Sequence, residues 1–574
     1  MSLQEKAKLT AEKWLTEDSI DEQTKTEVRE TLSAPDPKRL IDAFYKNLEF
    51  GTGGLRGVMG VGSNCVNKYT IGGATQGLAN YLHQSFPHQT IKVAIAYDSR
   101  NNSQSLAQIT ADVFTANGIH VFLFPELRPT PLLSFAIRHL QCQSGVVITA
   151  SHNPKEYNGY KAYWNDGAQL VPPHDQDVMD EVNAITGFDQ IQFTGNPKHL
   201  QVIGPEVEAA YYNEVKKIIP SQEIIQKQKD IPIVFSGIHG TGNTMVPECL
   251  RLLGFENCIT VKEQALPDGN FPTVDSPNPE EQSAMKMALA LAKEKNAELV
   301  MATDPDADRV GIGIKNSKGE FFLLNGNQAF SLMIWFILRN LKDSEKQYIA
   351  KTIVTTELVD TMAKKFNVDC YNTLTGFKYI ADLIKTLEGT KTFVAAGEES
   401  YGYMVGDFVR DKDAVSACAF FATMAAVAKN EGVTLYDWLL QIYIEYGFYK
   451  EGLINIVRKG ADGAQQIKTM MDNFRNRPPS ALNNEKITRI LDYQSSTELN
   501  VLTGKSKKID LPPSDVLQYY TDSNTKVSIR PSGTEPKIKF YVSVVARLKN
   551  KADFDSVHTQ LEAKIKSIEK QLTT

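Results

Sequence analysis

Asp304, Asp306 and Asp308 stand at alternate positions in the run Asp304-Pro-Asp-Ala-Asp-Arg309, so on an extended loop their carboxylates converge on one side. Three adjacent negative charges repel unless a cation binds, and hard oxygen donors select Mg²⁺ over softer metals. Alone, such a run is as often a solvated acidic turn. An EF-hand is excluded on spacing, because Arg309 occupies the position of its glycine and Lys315 that of its bidentate glutamate. Elsewhere, Thr149-Ala-Ser-His-Asn-Pro154 follows an apolar run, which puts Ser151 at a strand end with His152 beside it. A serine so placed can be a nucleophile or carry a covalent group. An isolated Ser-His pair is more often a turn serine bonded to its own backbone; Lys161, a few residues on, and the loops below shift the balance. The elbow of a serine hydrolase is not matched, since Thr149 and Asn153 fill its glycine positions.

Two further loops have the chemistry of anion and hydroxyl recognition. Arg530-Pro-Ser-Gly-Thr-Glu-Pro536 combines a guanidinium, the hydroxyls of Ser532 and Thr534 and the backbone N–H groups around Gly533, which together can surround a phosphate; Lys539 is close by. Gly397-Glu-Glu-Ser-Tyr-Gly402 offers carboxylates at Glu398 and Glu399 and a hydroxyl at Ser400, suited to sugar hydroxyls. Thr375, Gly376 and Lys378 in TGFK and Lys412 in RDKD add polar groups. Neither common nucleotide loop is present: the nearest match, Gly504-Lys505-Ser506, has Leu499 where the first glycine of a Walker A loop belongs.

These loops need rigid elements behind them, and the pattern supplies them. IKVAIAYDSR (91–100), GVVITASHNP (145–154), IPIVFSGIHGTG (231–242), ELVMATDPDADR (298–309) and TFVAAGEESYG (392–402) are each an apolar run too short for a helix that ends in a polar loop. With helical stretches such as 280–295 between them, they predict α/β layers with function at the carboxyl ends of strands. Near the N-terminus, Asp36 and Pro37 predict the start of a helix carrying Leu40, Ile41, Phe44, Tyr45 and Leu48, ending before the glycine-rich run 50–57. Late in the chain, 526–530 and 537–545 bracket a turn, and Ile538, Phe540, Val542 and Val544 alternate with Lys539, Tyr541 and Ser543 as in a half-buried antiparallel strand. A closing helix with Phe554, Val557, Leu561, Ile565, Ile568 and Leu572 on one stripe completes a smaller α+β unit.

Composition narrows the partners. The 574 residues are 42% hydrophobic and 23% charged, ordinary for a folded chain, and at about 150 residues per domain suggest roughly four domains. A net charge of −6 lacks the broad basic surface of a nucleic-acid binder. Six scattered cysteines without a C-x-x-C pair predict buried thiols in a reducing compartment. The start MSLQEKAKLTAEKWL has no signal-peptide core, and the apolar stretch 414–428 is too short to span a bilayer, so a cytoplasmic protein without membrane contact is expected.

Taken in order, TASHNP, DPDADR, GEESYG and RPSGTEP, with the GTGGLRG loop before them, resemble the α-D-phosphohexomutase superfamily of phosphoglucomutases and phosphomannomutases over nearly the whole chain. The resemblance implies four domains around a central cleft: three related mixed α/β domains, 1–205, 206–324 and 325–452, and a smaller C-terminal α+β domain, 453–574. It implies that Ser151 is a phosphoserine and that Ser151, Asp304, Asp306 and Asp308 hold Mg²⁺. Arg56, His152 and Lys161 match polar positions beside the phosphoserine, any of which can assist proton transfer. Arg309, Thr375, Gly376, Lys378, Glu398, Ser400 and Lys412 are implied to bind the sugar, and Arg530, Ser532, Gly533 and Thr534 the phosphate that is not reacting. The implied reaction interconverts glucose 1-phosphate and glucose 6-phosphate through a glucose 1,6-bisphosphate intermediate.

One departure bears on the sugar. Shorter members that accept mannose and glucose phosphates have a histidine in a loop like GEMSGH, whereas Tyr401, Gly402 and Tyr403 follow Ser400 here. This favours glucose and leaves mannose and pentose phosphates as alternatives, with the oligomeric state, monomer or dimer, open. Two rival readings account for part of the set. In a haloacid-dehalogenase-type site Asp304 is the nucleophile, but Asp308 replaces the usual Thr or Val and Ser151 has no task. A non-catalytic sugar-phosphate sensor keeps the pocket without turnover.

Overall fold

All five apolar runs form strands, and in a computed structural model describing residues 1–51, 54–341, 346–458, 463–532 and 537–573 they lie in three separate sheets. In the first, Lys92–Tyr97 pairs in parallel with Ser144–Ile148 and His120–Leu123, and His120–Leu123 with Leu200–Val202. Tyr157–Trp164 then runs antiparallel between Ser144–Ile148 and Gly54–Val58. Helices Lys68–Ser85, Ser103–Ala116 and Thr130–His139 pack on this sheet, so its central strands are apolar throughout and Val93, Ile95, Val146, Val147 and Ile148 are buried.

The second sheet places Leu299–Thr303 parallel to Ile233–Ser236 and antiparallel to Val310–Lys315. The third places Thr392–Gly397 parallel to Gln347–Thr352 and antiparallel to Tyr403–Val405. A common plan results. In each of the three sheets one candidate loop joins a strand with a parallel neighbour to an antiparallel strand beside it: 149–156, 304–309 and 398–402. The chain therefore has three mixed α/β units, with corresponding loops at corresponding places.

The fourth sheet is antiparallel, running from Phe448–Val457 through Lys537–Ala546, Lys526–Pro531 and Leu517–Thr521 to Glu485–Asp492. Helix Phe554–Thr573 buries Leu561, Ile565, Ile568 and Leu572 against it. Two expectations are corrected here. Phe448–Val457 pairs along its whole length with Lys537–Ala546, so the boundary expected at 452/453 falls inside a strand; the polar run Lys450-Glu451-Gly452 in its middle gave it the look of a linker. Lys537–Ala546 is also more than half-buried: Tyr541 and Ser543 are buried along with Ile538 and Phe540, and Tyr541 packs with Ile353, Val354 and Leu374 of the third unit. The second face of that strand is covered by another domain, which periodicity within one segment does not reveal.

At the N-terminus, helices Leu3–Thr16, Glu22–Ser33 and Lys38–Phe44 form a cap on the first unit, with Trp14 edge-on to Phe44, Tyr69 and Phe188. Pro37 is the N-cap residue of the third helix, and the Asp36 carboxylate accepts from the Lys38 N–H. The six cysteines carry free thiols, three buried (Cys142, Cys249, Cys418) and three half-buried. Among the described residues no helix is long and apolar enough to cross a membrane. The apolar stretch 414–428 lies in helix Ala414–Asn430, buried at every one of those positions because helix Gly242–Leu253 of the second unit and helices of its own unit pack around it.

Its N-cap ties the units together. The Asp413 carboxylate accepts from the N–H groups of Val415 and Ser416 and, through both oxygens, from the Tyr211 hydroxyl of helix Pro205–Ile218 at 2.8 and 2.7 Å. Removing that hydroxyl leaves a buried carboxylate short of a donor, which costs about 1.5–3 kcal/mol. Tyr211→Phe is expected to lower the thermal unfolding midpoint, while a hydroxyl-deleting control at half-buried Tyr45 leaves it unchanged; differential scanning calorimetry of both variants is the check.

Candidate active site

The three loops of the α/β units meet at one point. Ser151 Oγ donates to Asp304 Oδ2 at 2.9 Å and lies 3.2 Å from Nδ1 of His152. Asp304 Oδ1 accepts the backbone N–H groups of Asp308 and Arg309, which holds its carboxylate against the turn. Ligand oxygens of Asp304, Asp306 and Asp308 all lie within 4.8 Å of one another, and all three residues are buried. The Lys161 ammonium donates to Asp306 Oδ2 at 2.8 Å and Asp308 Oδ2 at 3.2 Å, and Lys412 stands 3.3 Å from Asp308 Oδ2 and 2.9 Å from Asp411 Oδ1. Thr130, at the start of helix Thr130–His139, donates its hydroxyl to Asp306 Oδ2 at 2.8 Å and its N–H to the Asp306 carbonyl.

These positions depend on the strands. Lys161 is on Tyr157–Trp164, whose neighbour Gly54–Val58 carries Arg56 opposite Gly159, so both cations reach the end of the sheet where Ser151 sits. Arg56 donates to the Asn153 side chain at 3.2 Å. Each of the three loops contains one non-glycine residue with positive φ: Ser151 (52°), Ala307 (49°) and Tyr401 (65°). Left-handed backbone costs such a residue about 1–2 kcal/mol, and its recurrence marks loops held by their surroundings. Gly402 is needed for a different reason: a Cβ there would fall 2.1 Å from Cδ of Lys412, so the glycine gives the lysine stem its path to Asp308.

Electrostatics follow from this packing. Burial and the charges of Asp308 and Asp306 push Asp304 well above the usual carboxylate range. Burial acts on Asp308 too, but Lys412, Lys161 and Arg309 outweigh it and hold that carboxyl below the usual range. Burial opposes the charge on Lys161, yet Asp306 and Asp308 raise its ammonium above the ordinary value. Burial, with Arg309 and Arg56 beside it, holds His152 well below its usual range, so the imidazole is neutral at pH 7. Asp306 Oδ1 and Asp308 Oδ1 are buried without a hydrogen-bond partner among the described residues. Convergent hard oxygens with orphaned lone pairs fit a divalent cation such as Mg²⁺.

Around this centre, Glu398 is buried, accepts the Gly376 N–H at 3.0 Å, and is pushed up to about 7 by burial, with Lys412 opposing and Glu399 adding to the shift. Glu399 accepts from the hydroxyls of Thr352 and Thr355. Ser400 and Thr375 are half-buried, the latter with its Oγ1 unpartnered among the described residues. Arg309 bonds Glu280 through Nη1 while its Nε lies 3.8 Å from Asp308. Lys378 is not drawn to the acidic centre: its ammonium pairs with Asp175 of the first unit at 3.2 Å. In the fourth unit Arg530 stands opposite Lys539, whose ammonium is pushed down by burial and by neighbouring Lys537 and Arg530. Ser532 donates its N–H to the Lys537 carbonyl; Gly533 and Thr534 lie outside the described residues. Thr130, Asp411, Glu280 and the pair Asp98 and Arg100 were not singled out from sequence. Of these, Asp411, in RDKD, and Asp98 and Arg100, in YDSR at the end of an apolar run, carried a local signal.

A serine hydroxyl, a neutral imidazole, a buried carboxylate trio and cations from several units have the chemistry of a phosphoryl-transfer site. Comparison with known proteins agrees. Family models described as "Phosphoglucomutase/phosphomannomutase, alpha/beta/alpha domain" I, II and III match residues 47–187, 209–319 and 325–446. A phosphoglucomutase of Staphylococcus aureus (strain MRSA252) is 37% identical over 524 residues, 91% of this chain and 93% of that one. One of Staphylococcus haemolyticus is 36% identical over 87% of this chain and 91% of its own. In fold, the open form of Paramecium pp63/parafusin matches with a TM-score of 0.67 at 17% identity, covering 91% of this chain and 97% of that one. A putative phosphomannomutase of Thermus thermophilus matches at 0.65 and 20% identity, over 90% and 99%. The chain belongs to the phosphoglucomutase/phosphomannomutase family of the α-D-phosphohexomutase superfamily, with the family's three mixed α/β domains and a β-rich fourth.

Glu398 gives a testable sign. Its folded-state value near 7 lies above the ordinary 4.5, so the folded chain holds a proton there that the unfolded chain releases, and stability from this group falls as pH rises from about 4.5 to about 7. Carboxyl-carbon NMR, assigned by Glu398→Gln, is expected to show a midpoint near 7 that rises further in Lys412→Met, where the opposing cation is gone. A midpoint in the ordinary range in both proteins would contradict the burial argument.

Proposed function

We propose that this chain is a phosphoglucomutase, interconverting α-D-glucose 1-phosphate and glucose 6-phosphate through a phosphoserine at Ser151 and a glucose 1,6-bisphosphate intermediate. The observation that carries the reading is Ser151 Oγ at 2.9 Å from Asp304, inside a buried carboxylate trio ringed by Lys161 and Lys412. Relatives named phosphoglucomutase at 36–37% identity over about nine-tenths of both chains support it.

In the forward direction the phosphoryl group on Ser151 Oγ passes to O6 of glucose 1-phosphate. The bisphosphate turns over in the cleft, its O1 phosphoryl returns to Oγ, and glucose 6-phosphate leaves. In the first transfer the O6 hydroxyl loses its proton as the O6–P bond forms and Ser151 Oγ takes one up as its ester bond breaks; in the second the Ser151 hydroxyl loses that proton as the Oγ–P bond forms and the sugar O1 takes one up as the O1–P bond breaks. Of Arg56, His152 and Lys161, His152 is neutral and within reach of Oγ, while Lys161 remains charged beside the acids and neutralises developing charge. Asp304, Asp306 and Asp308 would hold Mg²⁺ with the phosphoserine. The cation supplies charge neutralisation for the phosphoryl group in transfer. Glu398 and Ser400, with Arg309, Thr375, Gly376, Lys378 and Lys412 around them, would orient the sugar. Arg530, Ser532, Gly533 and Thr534 would grip the distal phosphate, and the crowded ammonium of Lys539 supports an anion there. The sugar-phosphate partners belong to the same reading, as do segments 1–205 and 206–324 and a third unit from 325 that gives way to the fourth before the strand beginning at Phe448. So does a place in the cytoplasm.

An aspartyl-phosphate route through Asp304 is disfavoured because that carboxylate is already engaged by Ser151 and two backbone N–H groups. Ser151→Ala is expected to abolish formation of glucose 6-phosphate in a coupled assay while far-UV circular dichroism is unchanged, and mass spectrometry of active wild type should map an acid-stable phosphate to Ser151. Turnover near the wild-type rate, or a labile phosphate on Asp304, sinks the assignment. Arg530→Ala should remove a charge-assisted contact worth about 1.5–3 kcal/mol and raise KM by roughly 10- to 100-fold with a smaller change in kcat. An unchanged KM would show that the turn binds something else.

A further inference from the structure

Ser151 is held from behind by a residue that touches neither substrate nor metal position. Arg100 ends the loop after strand Lys92–Tyr97 and is 3% exposed. Its guanidinium donates to four carbonyls of the serine loop: Nη2 to Ser151 at 2.7 Å and to Asn153, and Nη1 to Pro154 at 2.8 Å and Tyr157 at 3.0 Å. Asp98, 1% exposed, pairs with Nε at 3.3 Å and accepts the Arg100 N–H. Its other contacts are with Ser103 Oγ and with Thr149 Oγ1 at 2.7 Å, and that threonine oxygen in turn accepts the Ser151 N–H at 2.8 Å. One ion pair therefore grips Ser151 on both sides, its carbonyl through Arg100 and its N–H through Asp98 and Thr149. The open face of the guanidinium is covered by Phe271 of the second unit, 5.2 Å from its ring centre.

We propose that Arg100, pinned by Asp98, is a positioning residue that keeps Ser151 in its left-handed conformation, φ 52°, so that Oγ faces Asp304. The inference rests on Ser151 being the phosphoryl carrier. Four carbonyl oxygens converging on one point need a full positive charge with several donors in fixed directions, which a planar guanidinium provides and an ammonium does not. The clamp also explains how the serine alternates between hydroxyl and phosphate ester without its loop readjusting, because its contacts to the serine loop are to backbone or to Thr149 and none is to Ser151 Oγ.

The test separates positioning from bulk folding by following phosphoryl uptake from ³²P-labelled glucose 1,6-bisphosphate into the full chain. Wild type is expected to reach about one phosphoryl group per chain; no uptake by wild type would sink the carrier reading itself, whatever Arg100 does. Arg100→Lys is expected to reach the same endpoint at a rate lower by roughly 10- to 100-fold, the scale of a misplacement of about 1 Å, with KM for glucose 1-phosphate within about twofold of wild type. A wild-type rate would overturn the proposal, and so would a reduced endpoint at a wild-type rate constant, which is the signature of a partly misfolded population. If Arg100→Lys fails to fold, Asp98→Asn keeps the guanidinium and the backbone acceptor while loosening the pin. It should slow uptake in the same direction by about threefold or more without lowering the endpoint, and an unchanged rate there would equally overturn the proposal.

Discussion

Three carboxylates buried within 4.8 Å of one another cannot share a turn unless cations come to them, and much of the molecule is arranged around that constraint. Asp304, Asp306 and Asp308 come from the second sheet, Lys161 from the first, and Lys412 from the loop before helix Ala414–Asn430 in the third unit. Charge compensation is thus an interdomain contact. Separating the units would strand buried charges, so the force that assembles the cleft is the force that completes the site. Thr130 and Tyr163 extend the same logic, the first bonding Asp306 and the second Asp411 across the interface between units.

Repetition supplies the geometry. In each of three sheets the working loop leaves a strand with a parallel neighbour and returns along an antiparallel one, with one strained non-glycine residue at its turn. A sheet edge of this kind fixes both ends of a short loop, so the side chains at its tip have little freedom. Three such tips meeting at one point give a centre whose parts are individually rigid yet separately variable in sequence: a hydroxyl in the first, carboxylates in the second and third.

Much of this was legible in the sequence because buried strands between covering helices are continuous apolar runs, and each run ended at a loop with an unusual concentration of polar groups. The five strands, the buried helix over 414–428 and the stripe of the closing helix follow from local patterning alone. What escaped notice depends on partners distant in the chain. Thr130 and Glu280 stand in segments without any chemical signature, and Arg100 reads as the polar end of a strand until its four carbonyl partners are seen. Lys378, expected near the sugar, is engaged by Asp175 because helix Phe377–Leu387 packs next to the first unit. Tyr541 looked solvent-facing for the same reason: its neighbours Ile353 and Leu374 belong to another unit.

The fourth unit has a different task, and its attachment shows how it can meet it. Lys526 donates to the carbonyls of Ile353 and Thr355, Gln518 to the Ile353 carbonyl, and Tyr520 to Glu357. The segment they grip, 353–357, lies next to Thr352 and includes Thr355, the two hydroxyls that hold Glu399 beside Glu398. The cationic turn at Arg530 and Lys539 is therefore referenced to the sugar loop through one short stretch of backbone rather than through the acidic centre. That separation suits an intermediate with two phosphates. One end must stay with Ser151 and the carboxylates while the other is held at a fixed distance, and both must be shielded from water, since a solvated phosphoserine would be hydrolysed instead of passed on. Ser151 at 2% exposure and Asp304 at 0% are already enclosed by the α/β units. On the proposed reading, gripping the distal phosphate is what remains for the fourth.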